Sequence, residues 1–166
     1  MYKIDDYVMY RHDVCKIKDI RENKLTSKTY YVMTPIDDDS LIIDIPTEDK
    51  MGFLRDIISK NDAEKIINNI HNIEPLPCTN DKDLVFLYKE LINTGNHENL
   101  IKIIKTTYLR NQNRLNNKRK VSEKDNTYFK LAEKYLYNEL SISLNMTTDK
   151  VKKYIFEIVN KNQSKN

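Results

Sequence analysis

The chain has 166 residues, 39% of them hydrophobic and 32% charged, with a net charge of +3; this fits one or two small globular domains. No stretch approaches the roughly 18 apolar residues that a membrane span needs, and Met1-Tyr2-Lys3-Ile4-Asp5-Asp6 lacks an apolar signal core, so a cytoplasmic protein is expected. The charge is uneven: residues 1–78 hold 11 Lys/Arg against 15 Asp/Glu, net −4, and residues 79–166 hold 17 against 10, net +7. Halves of opposite sign point to different partners.

In chain order, residues 1–46 read as strands. Tyr7–Tyr10 is a short β-former run, Val14–Ile20 alternates with period two, Thr29–Thr34 is aromatic and β-branched, and Leu41–Ile45 is apolar. Four or five short strands in this space predict a small antiparallel barrel. Pro46 ends the last of them, because it cannot donate to a ladder. The remainder reads as helix. Ser59 caps a first helix with the stripe Ala63, Ile66, Ile67 and Ile70, and Pro75 and Pro77 break it, making Ile73–Thr79 the linker. A second helix carries Leu84, Leu87, Tyr88, Leu91 and Ile92 and stops at Gly95, a residue suited to a left-handed C-terminal position. A third carries Leu100, Ile103, Ile104 and Tyr108. Ser122 caps a fourth with Phe129, Ala132, Leu136 and Leu140. Thr147 or Thr148 caps a fifth with Val151, Tyr154, Ile155, Ile158 and Val159. Helices this short need one another's apolar stripes, so a bundle is expected.

The predicted class is α+β: a small N-terminal antiparallel β-barrel followed by a C-terminal all-α helical bundle. The expected organisation is a β-rich domain over 1–58, a helix and Pro-containing linker over 59–78, a helical domain over 79–162 and a tail over 163–166.

Catalytic signatures are missing. Two glycines, Gly52 and Gly95, cannot write a phosphate loop or a dinucleotide fingerprint. No Ser, Cys or Thr sits in a nucleophile motif. Cys15 and Cys78 lack metal-ligand spacing and read as reduced structural residues, His12, His71 and His97 are scattered, and Asp37-Asp38-Asp39 departs from the calcium-loop pattern and reads as an acidic turn. No enzymatic activity, cofactor, metal or small-molecule substrate is expected. What stands out is Arg110–Lys124, where Arg110, Arg114, Lys118, Arg119, Lys120 and Lys124 face only one acid before Lys124, Glu123. Such a cluster neutralises phosphates and releases counterions, and Asn111, Gln112, Asn113, Asn116 and Asn117 add hydrogen-bonding groups. The competing reading is a solvated loop. Leu41–Ile45, if it lies at a sheet edge, offers a second surface for strand pairing.

Several ordered motifs resemble one family. Ile4-Asp5-Asp6-Tyr7-Val8-Met9-Tyr10 is similar to a "GDxVxY" opening, and His12-Asp13-Val14 to an "HGV" turn. Tyr30-Tyr31-Val32-Met33 is similar to "YYVL", and Ile43-Asp44-Ile45-Pro46 to "hxhP". Gly52–Ser59 resembles "VGLRxIIS", Leu91–Gly95 resembles "LxSG", and Leu131–Leu144 resembles "KARxLLxxELALAL". Together, over about residues 2–158, the chain resembles the CarD-like bacterial transcription regulators, whose N-terminal domain is shared with the transcription-repair coupling factor. The resemblance implies a Tudor-like barrel that binds the β-subunit of RNA polymerase by strand contact, with Leu41, Ile42, Ile43, Asp44 and Ile45 in that role. It also implies a helical domain on promoter DNA that stabilises the open complex, and hence association with the nucleoid through polymerase. DNA contact, weak and salt-sensitive, would fall to Lys82, Arg110, Arg114, Lys118, Arg119, Lys120 and Lys124. The chain departs from the family at three places. It has no tryptophan, and Asn80-Asp81 occupies the position of the minor-groove wedge, followed by Asp83 and Leu84 where basic residues are usual. Asp13 replaces a turn glycine, a position where Asp can tolerate positive φ. Asp44 replaces a residue that is basic in some members. The alternative is a polymerase-binding module without DNA contact.

Overall fold

The computed structural model describes residues 1–77 and 80–165. Cys78 and Thr79, the end of the expected linker and start of the expected helical domain, lie outside the described residues, as does Asn166 at the end of the tail. The fold is α+β, in two units, Met1–Ile58 and Ser59–Asn166. The boundary coincides with the expected end of the β-rich domain. Counted by unit, the charges are net −3 and net +6, so the asymmetry follows the fold.

The first unit is one antiparallel sheet of β1 (Tyr7–Tyr10), β2 (Asp13–Asn23), β3 (Lys28–Pro35), β4 (Ile43–Pro46) and β5 (Leu54–Asp56), ordered β4-β3-β2-β1-β5. Its core joins Val8, Cys15, Ile17, Tyr31, Met33 and Ile45, with Tyr2, Tyr10, Ile43, Phe53 and Leu54 packed against it. Burial pushes the Cys15 thiol up to about 12, as suits an inert core residue. A register shift between Ile17 and Asp19 bends β2, so that its start pairs with β1 while it pairs with β3 along most of its length. The expected closed barrel is not formed. The two edge strands, β4 and β5, are four and three residues long and do not pair with each other. Strands this short offer few ladder groups for closure, and the connection between them turns back on itself, with the Asp49 N–H donating to the Pro46 carbonyl and the Gly52 N–H to the Asp49 carbonyl. Gly52 sits at φ +67; a Cβ there would meet no atom within 4 Å, so it is the backbone conformation that calls for glycine. The strand β5 was not legible in the sequence, because Leu54-Arg55-Asp56 has no alternating run.

The β1–β2 turn corrects a second expectation. Positive φ falls on Arg11 (+56) and not on Asp13, which is already in β2. The conformation costs a non-glycine residue about 1–2 kcal/mol. Against that, the Arg11 N–H donates to the Phe53 carbonyl at 2.9 Å, and its guanidinium lies over the rings of Phe53 and Tyr10, 4.7 and 5.5 Å from their centroids.

The second unit contains α1 (Lys60–Asn69), a 3-10 turn (Ile70–Asn72), α2 (Asp81–Asn93), α3 (His97–Asn116), α4 (Glu123–Ser143) and α5 (Thr148–Gln163). Ser59, Asn80, Asn96, Ser122 and Thr147 each accept a hydrogen bond from a backbone N–H three residues on. Gly95 takes the expected left-handed position. α3 packs mainly on α4, α5 packs on α4 and α1, and α2 contacts α3 and α4. Buried residues include Ile67, Leu84, Tyr88, Ile103, Leu136, Leu140 and Val151. Two readings change. Tyr108, expected in the core, is 53% exposed, because Thr106 and Thr107 turn inward and bond to carbonyls of their own helix. The segment 59–77, expected as helix and linker, is part of the bundle: α1 packs on α5, the Lys105 ammonium donates to the carbonyls of Ile70 and Ile73, and the Leu76 N–H donates to Thr106 Oγ1. Among the described residues no helix is long and apolar enough to cross a membrane.

Candidate partner-binding edge and nucleic-acid surface

In the first unit, β4 is an edge strand. Only Ile43, Asp44 and Ile45 of the expected contact run are in it; Leu41 and Ile42 precede it and are exposed. The Thr47 N–H donates to the Thr29 carbonyl at 2.9 Å. Successive residues of a strand aim their peptide groups to opposite sides. Ile43 and Ile45 therefore aim theirs at β3, and Asp44 aims its N–H and C=O at the free edge. Ile45 is buried in the core, Ile43 packs against it and Asp44 is exposed. Pro46 and the short length limit what could pair here, which protects the edge from indiscriminate pairing. Beside it is a hollow of ≈ 430 Å³ lined by Tyr10, Asp44, Ile45, Glu48, Met51 and Phe53 among others.

In the second unit, residues 99–122 contain seven Lys/Arg and no Asp or Glu. The structure divides them. Lys102 pairs with Glu98 at 2.9 Å, and Lys105 caps the end of the 3-10 turn. Arg110 is held by two acids: its Nε donates to Asp125 at 2.9 Å and its Nη2 to Asp81 at 2.6 Å. Asp125, 2% exposed, also accepts the Tyr88 hydroxyl at 3.1 Å. Burial works against the charge of Arg110, but its bonds to Asp125 and Asp81 outweigh that and raise its pKa; burial and Asp125 likewise raise that of Tyr88. Arg110 therefore ties α2, α3 and α4 together, and its guanidinium is not free for a phosphate. Arg114, Lys118, Arg119 and Lys120 have no carboxylate partner among the described residues, and the last three are exposed.

The turn after α3 is a complete Schellman motif. The Arg119 N–H donates to the Arg114 carbonyl at 2.8 Å and the Lys118 N–H to the Leu115 carbonyl at 3.0 Å, with Lys118 at φ +56. Glycine is the usual residue there, and lysine is strained by about 1 kcal/mol. The matching turn after α4 uses Asn145, a residue better suited to that conformation. Lys118→Gly is expected to stabilise the unit by about 1 kcal/mol in urea unfolding.

Lys124 is exposed in the first turn of α4, where the helix dipole disfavours a cation. Lys82 stands in the first turn of α2 between Asp81 and Asp83, so the charge there is negative. At the wedge position, Asn80 is the N-cap of α2 and Asp81 partners Arg110; neither presents an apolar ring. Of the five amides expected to reach nucleic acid, Asn111 accepts the Ser122 N–H, and Asn117 bonds to Asn113. These three build the turn, and Gln112 and Asn116 stay exposed beside Tyr108, Leu109 and Leu115. Sequence reading missed the Arg110–Asp125 pair because the two are 15 residues apart with no helical spacing to signal it. Among the described residues no group of His, Cys, Asp or Glu is arranged to hold a metal. No family model matches the chain, and no curated protein matches it.

Proposed function

We propose that the protein is a two-part transcription regulator: the edge of β4 binds the β-subunit of RNA polymerase, and Arg114, Lys118, Arg119, Lys120 and Lys124 contact promoter DNA to modulate open-complex stability. The supporting observation is that β4, the strand to which the motif resemblance assigns the polymerase contact, is an edge strand with the peptide groups of Asp44 aimed outward. The acid-free stretch 99–122 on the other unit suits a sequence-independent phosphate contact. The reading is tested by capture of the isolated polymerase β-subunit. Asp44→Pro removes an outward N–H without touching the β3 ladder, and Pro is tolerated on such an edge. The variant is expected to lose capture while its melting temperature stays close to that of the parent; no capture by the parent protein would end the polymerase reading.

A second reading, polymerase binding without DNA contact, is favoured by one observation: α2 opens on Asp81 and Asp83, which repel phosphate where the resemblance places a wedge. Under it, the protein leaves open-complex lifetime unchanged while still capturing the β-subunit.

A further inference from the structure

The hollow beside β4 is lined by aromatic, apolar and charged side chains, with three carboxylates against two lysines. Two rings form part of its wall, Tyr10 and Phe53, edge to face with centroids 6.1 Å apart. The same pair already hosts a guanidinium, that of Arg11, which takes the ring faces it covers, so a further cation would be drawn by the carboxylates of the lining. Asp44 and Glu48 add carboxylates to the lining. Asp49 adds a third charge, although its oxygens accept the N–H groups of Phe53 and Leu54 at 3.1 and 2.7 Å. Lys28 and Lys50 also line the hollow; Lys50 is held by Glu48 only at 3.5 Å, between exposed side chains, a contact worth little. The charge continues along the chain: residues 37–50 hold six Asp/Glu and one Lys. A carboxylate entering here would meet like charge, whereas an arginine or lysine stem would lie along Ile45, Pro46 and Met51 with its head near Asp44 and Glu48.

We propose that the β4 edge takes an extended basic segment of its protein partner, which places an arginine or lysine in this hollow. Strand addition of this kind draws affinity from main-chain bonds and specificity from pockets for alternate side chains. The inference rests on the proposed use of β4 as a docking edge, and it adds the sign of the partner.

The test is fluorescence anisotropy of the full chain with a labelled nonapeptide alternating valine and arginine, and with its valine–glutamate counterpart. The basic peptide is expected to bind at least about tenfold more tightly than the acidic one, a difference of about 1.4 kcal/mol. Asp44→Lys combined with Glu48→Lys is expected to erase that preference. Glu90→Lys combined with Glu157→Lys changes net charge equally at residues that do not line the hollow and is expected to preserve it. Equal weakening by the two pairs, or no preference in the parent protein, overturns the proposal. Capture of the β-subunit is scored separately. Capture without peptide preference removes this inference and leaves the polymerase reading; peptide preference without capture removes the polymerase reading and leaves a basic partner.

Discussion

Arg110→Ala is expected to destabilise the helical unit by about 3–5 kcal/mol, the range for removing one partner of a buried ion pair. The loss is large because of what stays behind. Asp125 is 2% exposed, and without Arg110 its remaining side-chain partner in the structure is the Tyr88 hydroxyl. It also sits in the first turn of α4, where its own N–H is capped by Ser122 at 3.2 Å, so it cannot swing into water without opening the helix start. Asp81, with its side chain 70% exposed, can be resolvated and contributes little to the loss. Urea unfolding followed by far-ultraviolet circular dichroism measures the change. Arg110→Met with Asp125→Leu is expected to recover most of the stability, since an apolar pair of similar volume does not leave a stranded charge. A loss below about 1 kcal/mol for Arg110→Ala would mean that Arg110 is a surface residue with its charge available to a ligand. The consequence for function is direct: a fall in DNA binding by an Arg110 variant reports unfolding unless stability is measured beside it.

The second large effect concerns Lys118, Arg119 and Lys120. Reversing all three to glutamate is expected to lower the slope of log affinity against log salt by about 2.7, from about 0.9 per phosphate. Between 50 and 200 mM salt, that removes about 40-fold of salt sensitivity. Filter binding or anisotropy with a duplex promoter fragment measures it. The fold should tolerate the change, since all three side chains are exposed. Glutamates just beyond the end of α3 face the negative end of its dipole, at a cost of about 0.3–1 kcal/mol each. Unchanged affinity and slope in the triple variant would move the DNA contact elsewhere or favour the reading without DNA. The variant is cleaner than one at Lys82, whose neighbours Asp81 and Asp83 already oppose phosphate, or at Arg110, whose guanidinium is structural.

The two surfaces respond to salt through different physics. Cations at an exposed turn act through counterion release, so their contribution fades as salt rises. A strand edge acts mainly through main-chain hydrogen bonds, which release no condensed counterions. Under the proposed function, capture of the β-subunit is therefore expected to outlast DNA binding as salt increases.

The sequence by itself determined the α+β class and most of the helical stripes. These are local properties: Ser59 and Ser122 cap helices through bonds three residues away, Gly95 ends one through its own φ, and stripes such as Leu84–Tyr88–Leu91 follow the 3.6-residue repeat. Asn80 and Asn96 cap helices by the same short-range geometry and could have been read the same way. Only the tertiary structure decided that the sheet stays open, that β4 is one of its edges, and that Asp44 and not Ile43 faces outward along it. Strand order and edge position depend on which segments pair across the chain, and period-two patterning is silent on that. Only the fold, likewise, separated Arg110 from its neighbours. In the sequence it is one of a row of cations; in the bundle, α4 brings Asp125 beneath it, and burial turns a charge that looked available for phosphate into the bond that holds three helices together.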